Sequence, residues 1–79
     1  MDHLTEFLTV AKTFMEGHGL TIHQASKRLF DNTRKLSYLK RSRNAEELDP
    51  RMARNLIQTM SRSWPAGTDW PENVVRPAR

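Results

Sequence analysis

The 79-residue sequence contains no cysteine, so a disulfide framework and a thiolate site are both excluded. The three histidines, His3, His18 and His23, match no metal-site spacing, and we expect them to be surface polar side chains. No apolar run approaches the roughly 20 residues that span a bilayer. The opening MDHLTEFL lacks the basic start of a signal peptide. These absences predict a cytoplasmic protein with no metal, no cofactor and no membrane partner.

Groupings that support catalysis are also missing from the sequence. The acids Glu46 and Glu47 fall in a polar segment without a partner base. Ser26 and Ser37 lie near no histidine–acid set that would activate them. The three glycines form no phosphate-binding loop. We therefore predict that the protein is not an enzyme.

Charge is concentrated in one part of the chain. The net charge is +4, but residues 27–43 hold seven cations and one acid, or +6, while the rest hold six cations and eight acids, or −2. Such a basic segment is the electrostatic footprint of nucleic-acid binding. The alternative is a solvated basic face.

Hydrophobic periodicity predicts an all-α fold, a compact domain of four helices over residues 4–16, 22–29, 33–42 and 50–63. Three helix starts have capping signals: Asp2, Thr21 with Gln24 three residues on, and Asp49 followed by Pro50. Gly17 and Gly19 are expected to end the first helix. The apolar stripe of the fourth helix is predicted to consist of Met52, Ala53, Leu56, Ile57 and Met60.

The second and third helices have the spacing of a helix-turn-helix. Ala25, Leu29, Leu36 and Leu39 are predicted to point inward, and the small Ser26 allows close helix crossing. The turn, Phe30-Asp31-Asn32, has phenylalanine where many such motifs have glycine. Either the turn is built differently, or the positive φ falls on Asp31 or Asn32. One of these two residues should also cap the third helix.

The third helix then presents polar side chains outward, in positions that suit a DNA major groove. The predicted base-reading residues are Thr33, Arg34, Ser37, Tyr38 and Arg41. The predicted phosphate contacts are Lys27, Arg28, Lys35, Lys40 and Arg43.

The last sixteen residues, WPAGTDWPENVVRPAR, form a C-terminal tail with three prolines and two tryptophans. This composition excludes a helix or a central strand and is too aromatic for a typical disordered tail. We expect residues 64–79 to lie extended across a DNA-binding domain of residues 1–63, anchored by Trp64 and Trp70. Alternatively, Trp70, Val74 and Val75 form a dimer or partner surface. Leu48 is the expected core anchor of the preceding loop.

Residues 21–41 resemble the helix-turn-helix of phage Cro and repressor domains. The wider pattern resembles short regulators of prophages and mobile elements, which combine an LTEFL-like first helix with a WP…WP…RP tail. The matching pieces are residues 4–8, residues 25–39, Trp64-Pro65, Trp70-Pro71 and Arg76-Pro77. The resemblance implies a small transcriptional regulator.

Together these patterns predict a sequence-specific regulator of double-stranded DNA. A repressor or autoregulator that binds an inverted repeat as a homodimer is expected, because a single small module gives limited affinity and specificity. The alternative is a protein-binding antagonist that inactivates another regulator through the tail and the fourth helix. RNA binding comes third, since the chain lacks the aromatic platform of single-strand readers.

Overall fold

Four α-helices carry most of the fold in the computed structural model, which describes residues 2–77. They are α1 (His3–His18), α2 (Ile22–Phe30), α3 (Lys35–Ser42) and α4 (Pro50–Arg62), with a 3-10 turn at Ala45–Glu47. No β-strand occurs in this described range, so the predicted all-α class is confirmed there. None of the helices described has the length and hydrophobicity required to cross a membrane. The Cα radius of gyration, 11.5 Å, is that of a compact chain of this length.

Three helices begin at the predicted caps. The Asp2 carboxylate accepts from the Thr5 amide at 2.7 Å, and this backbone hydrogen bond holds the pKa of Asp2 below its usual value. Thr21 and Gln24 form a reciprocal capping box at the start of α2. Asp49 accepts from the Arg51 amide at 2.8 Å, and Pro50 occupies the first turn of α4. Local sequence therefore determines where α1, α2 and α4 begin.

The start of α3 differs from the prediction. The helix begins at Lys35 rather than residue 33, with Arg34 at the N-cap position in a helical conformation. The Asn32 side chain accepts from the Arg34 amide at 2.8 Å, so it holds the preceding turn rather than capping the helix, and the predicted cap is wrong. The left-handed residue is Asp31, with φ of 56°, which confirms one of the two alternatives for the turn.

The core contains the inward residues that periodicity predicted for α3 and the loop. Leu36, Leu39 and Leu48 are each at most 1% exposed. Phe30 is half-buried, and its ring meets Phe7 edge-on at 5.8 Å between centroids. Met52 was predicted to be in the core but is 49% exposed, because it lies about 100° around the axis of α4 from the buried Ala53.

Two histidines connect the ends of α1 to other segments. His3 is half-buried, and its Nε2 donates to the carbonyls of Ala45 at 2.8 Å and Leu48 at 2.6 Å. His18 is exposed, and its Nε2 lies 2.8 Å from the carbonyl of Ser63. The expectation of a purely surface role is therefore wrong for His3, whose acceptors come from a turn more than forty residues away.

The tail leaves α4 and returns along it. Trp64 packs on Phe14 and Trp70, with centroid distances of 6.1 and 4.6 Å. Val74 is only 3% exposed, and the Trp70 indole donates to its carbonyl at 2.7 Å. Arg76 binds the Ser61 carbonyl and hydroxyl, and its guanidinium lies 5.2 Å from the centre of the Trp70 ring.

The predicted tail of residues 64–79 continues past the described range, because residues 78 and 79 fall outside it. Of the three residues suggested for a partner surface, Val75 is 89% exposed, whereas Val74 is buried and Trp70 is half-buried. A partner that approached this side would therefore meet Val75 first.

Gly17 brings the tail against the backbone of α1. A Cβ atom built on Gly17 would lie 2.4 Å from Cγ of Pro65 and 2.6 Å from the Thr68 hydroxyl. The helix runs through Gly17 to His18 and is followed by the C-cap residue Gly19, whose φ is 69°. Gly19 therefore supplies the predicted left-handed ending, while Gly17 leaves room for the tail.

Candidate nucleic-acid interface

A buried serine hydroxyl fixes α2 against the start of α3. Ser26 is fully buried, and its Oγ donates to the carbonyl of Asn32 and accepts from the amide of Leu36 at 2.9 Å. Both partners are backbone groups at the junction of the turn and α3. The sequence indicated only that Ser26 is small. The available signal was a hydroxyl among the apolar positions of α2, which requires a partner when buried.

The first turn of α2 and the outward face of α3 enclose a shallow depression, termed here the basic depression. Its lining residues come from both helices and their ends: Ile22, His23, Arg34, Ser37, Lys40, Arg41 and Arg43. Four of these described lining residues are lysine or arginine and none is an acid. The surface is therefore complementary to an anion.

Three of the five predicted base-reading residues line the basic depression, namely Arg34, Ser37 and Arg41. Ser37 and Arg41 lie on the face of α3 opposite the buried Leu36 and Leu39, and the N-cap residue Arg34, whose backbone is helical, continues that face before the first turn. The structure thus places the two arginines with a hydroxyl between them, a set of donors suited to base edges or phosphates.

The other two predicted base-reading residues lie elsewhere. Thr33 is exposed in the turn before α3. Tyr38 projects toward the 3-10 turn, where its hydroxyl donates to the Glu47 carboxylate at 2.8 Å. This hydrogen bond, together with the negative charge of Glu47, raises the pKa of the Tyr38 phenol.

The predicted phosphate contacts are also divided. Lys40 and Arg43 line the basic depression. Lys27 and Arg28 lie on the last turn of α2, and Lys35 is half-buried in the first turn of α3. The Lys27 ammonium pairs with Asp31 at 2.8 Å, which offsets part of its positive charge.

Sequence reasoning missed the contribution of the α2 N-terminus. His23 and Ile22 line the basic depression. The capping box uses the Thr21 and Gln24 amides, so the amides of Ile22 and His23 stand at the positive end of the helix without an intrahelical acceptor. The capping signal at Thr21 could have identified them, because first-turn amides follow the cap directly.

Among residues 2–77, no group of three or more histidine, cysteine, aspartate or glutamate side chains is placed to hold a metal ion. Neither a family model nor a curated protein nor a solved structure matches the chain.

Proposed function

We propose that the protein is a sequence-specific, double-stranded DNA-binding transcriptional regulator in which α2 and α3 form a helix-turn-helix. The observation that carries the proposal is the basic depression, where Arg34, Lys40, Arg41 and Arg43 converge with the first turn of α2. With its side chains an α-helix is about 10–12 Å in diameter, which fits the width of about 12 Å of a B-DNA major groove. The eight residues of α3 give it a length of about 12 Å over which to present side chains to bases.

The junction between the helices supports this proposal. Asp31 reverses the chain in a left-handed conformation, so the turn does not need glycine. The Ser26 hydroxyl then holds Asn32 and Leu36 in place through two hydrogen bonds. A recognition helix must be presented at a fixed angle, and these contacts provide one rigid means of doing so.

The proposed roles follow from position on the surface. Arg34, Ser37 and Arg41 would contact base edges, because they line the basic depression on the outward side of α3 and its N-cap. Lys40, Arg43 and the first-turn amides of α2 would contact phosphates. Tyr38 would contact DNA only after its hydrogen bond to the Glu47 carboxylate is broken. Lys27, Arg28 and Lys35 would contribute to the long-range positive field.

A homodimer on an inverted repeat is part of the proposal, since two copies of so small a module double the contacts to DNA. A repressor or autoregulator is the simplest role, because blocking a promoter requires only occupancy of the site.

The test is fluorescence anisotropy with a labelled DNA fragment from upstream of the protein's own gene. Arg34→Ala should weaken binding by roughly 1–3 kcal/mol and relax base preference at one position per half-site. Arg54→Ala, on the exposed side of α4, removes the same charge and should change binding little. Equal losses of DNA affinity in the two variants would mean that binding depends only on non-specific electrostatic attraction. A wild-type protein that binds no DNA would reject the proposal.

The alternative, a protein-binding antagonist, would use the side formed by α4 and the tail. Apart from Tyr38, the exposed large hydrophobic residues in the described range are Met52 and Val75, and both belong to these segments. Failure to bind DNA, together with a complex that Val75→Asp disrupts, would favour this function instead.

A further inference from the structure

A second concave surface lies on the other side of α3, between that helix and α1. Its floor is formed by the buried Ala11 and Leu36, and its walls by the half-buried Leu8, Met15 and Ile22. We term it the apolar groove. It is open to solvent on one side, and its volume of about 170 Å³ is similar to the roughly 150 Å³ of a closed cavity that accommodates a benzene ring. A single ring or a short acyl chain therefore matches its size.

Three cations surround this apolar floor: Lys12, Lys40 and Arg43. The only ion pair within residues 2–77 joins Lys27 to Asp31, so in this range none of the three cations has a carboxylate within ion-pair distance. The remaining polar lining comes from Thr5 and Thr9, and the Thr9 hydroxyl is already bonded to the Thr5 carbonyl at 2.8 Å. The groove thus combines an apolar floor with an unneutralised positive rim.

We propose that the apolar groove binds a small organic carboxylate with a single ring or a short acyl chain. The hydrocarbon part would rest on Ala11 and Leu36, and the carboxylate would accept hydrogen bonds from the cations at the rim. A neutral molecule of the same shape lacks the attraction between its own negative charge and these cations, and a cation of the same shape is repelled.

The groove is coupled to the basic depression by shared residues. Ile22, Lys40 and Arg43 line both, whereas Lys12 lines only the groove. This coupling rests on the proposed function: a carboxylate that engages Lys40 and Arg43 withdraws them from phosphates and weakens DNA binding. The groove would then serve as an effector site, and the protein would respond to its ligand by leaving DNA.

Binding is tested first without DNA, so that its outcome does not depend on the proposed function. Phenylacetate is titrated into the ¹⁵N-labelled protein, with 2-phenylethanol and 2-phenylethylammonium as neutral and cationic probes of similar shape. Saturable amide shifts should cluster at Leu8, Ala11, Lys12 and Leu36 with phenylacetate and be much weaker with the other two. Equal shifts with all three probes, or none with phenylacetate, would overturn the proposal.

The matched variants are Lys12→Gln and Lys27→Gln, which remove the same charge from the groove rim and from the last turn of α2. Lys12→Gln should weaken phenylacetate binding by roughly twofold to fivefold, and Lys27→Gln should leave it unchanged. Groove shifts that appear on concentrating the protein alone would identify a second copy of the chain as the occupant and overturn the ligand assignment.

Competition with DNA is measured afterwards by anisotropy. Phenylacetate should displace DNA from the wild type, and Lys12→Gln should bind DNA normally but require correspondingly more ligand. Phenylacetate binding without displacement of bound DNA would reject the effector role while leaving the groove assignment intact. If the wild-type protein binds no DNA, the proposed function fails. The amide shifts then still show whether the apolar groove binds phenylacetate.

Discussion

The hydroxyl of Ser26 in α2 makes hydrogen bonds to two backbone groups at the junction of the turn and α3. Removing it in Ser26→Ala leaves the Asn32 carbonyl and the buried Leu36 amide without their partner. We expect a loss of about 1–3 kcal/mol in the free energy of unfolding, measured by urea denaturation.

Ser63→Ala is the matched control for this change. Its hydroxyl bonds only the Thr59 carbonyl and is exposed, so the loss should stay within about 0.5 kcal/mol. Equal stability of the two variants would mean that the Ser26 hydrogen bonds do not hold the α2–α3 junction.

Tyr38 is the only tyrosine in the chain, so its ionisation can be followed directly in the near-ultraviolet absorbance. The hydrogen bond to Glu47 favours the neutral phenol and raises its pKa above the ordinary value of about 10. The contact should therefore be intact below that ordinary value and be lost as the pH rises through the raised pKa.

Glu47→Ala should lower the Tyr38 pKa toward its ordinary value, because the acceptor and its charge are both removed. Glu46→Ala removes the neighbouring exposed acid and should change the pKa much less. If the two variants titrate alike, the raised pKa has another cause than the Tyr38–Glu47 hydrogen bond.

At the residue scale, what the sequence could predict depended on the range of the interaction. Leu36 and Leu39 were identified as core residues because helical periodicity is local. The Tyr38–Glu47 hydrogen bond joins α3 to a turn nine residues on, and the His3 contacts cross forty-two residues or more. Such partners are set by tertiary packing, which no local pattern contains.

Among the elements, the tail offers a pair of adjacent valines in opposite environments. Val74 is 3% exposed and Val75 is 89% exposed. Val74→Ala should lower the free energy of unfolding by about 1–2 kcal/mol, because two buried methyl groups are lost. Thermal or urea denaturation measures the difference.

Val75→Ala makes the same chemical change on the exposed neighbour and should cost less than about 0.5 kcal/mol. Similar losses in the two variants would show that the Val74 side chain does not contribute to the core. A larger loss for Val75 would indicate that it is covered in a dimer.

The first residues of the helices were also predictable where local sequence determines them and not where tertiary contacts do. The starts of α1, α2 and α4 were predictable because each carries its own capping residues. The start of α3 was not, since the Asn32 side chain binds the Arg34 amide within the turn and the Ser26 hydroxyl of α2 binds the backbone of Asn32 and Leu36. Thr33 and Arg34 therefore precede the helix, so periodicity identified Ser37 and Arg41 as outward residues of α3 but not the residue at which the helix begins.

For the whole molecule, the unequal distribution of charge predicts a steep salt dependence of DNA binding. Under the proposed function, the logarithm of the binding constant should fall with the logarithm of salt concentration by about 0.9 per neutralised phosphate. Lys40→Ala should weaken all DNA sequences about equally and reduce that slope by about one. Titrations at several salt concentrations measure both quantities.

Arg62→Ala, on the exposed side of α4, is the charge-matched control and should leave the slope unchanged. Identical slopes for Lys40→Ala and the wild type would remove Lys40 from the set of phosphate contacts. A salt-independent interaction would contradict the role assigned to the basic depression.

The return of the tail along α4 also has a consequence for biosynthesis. During translation α1 leaves the ribosome first. Trp64 covers Phe14, and Val74 completes the core, but both are synthesised about fifty residues or more after Phe14. Until these residues emerge, the apolar stripe of α1 has no complete cover. A nascent chain stalled before Trp64 has left the ribosome should therefore be a substrate for chaperones, whereas a chain tethered by a linker long enough for Arg76 to leave the exit tunnel should escape them.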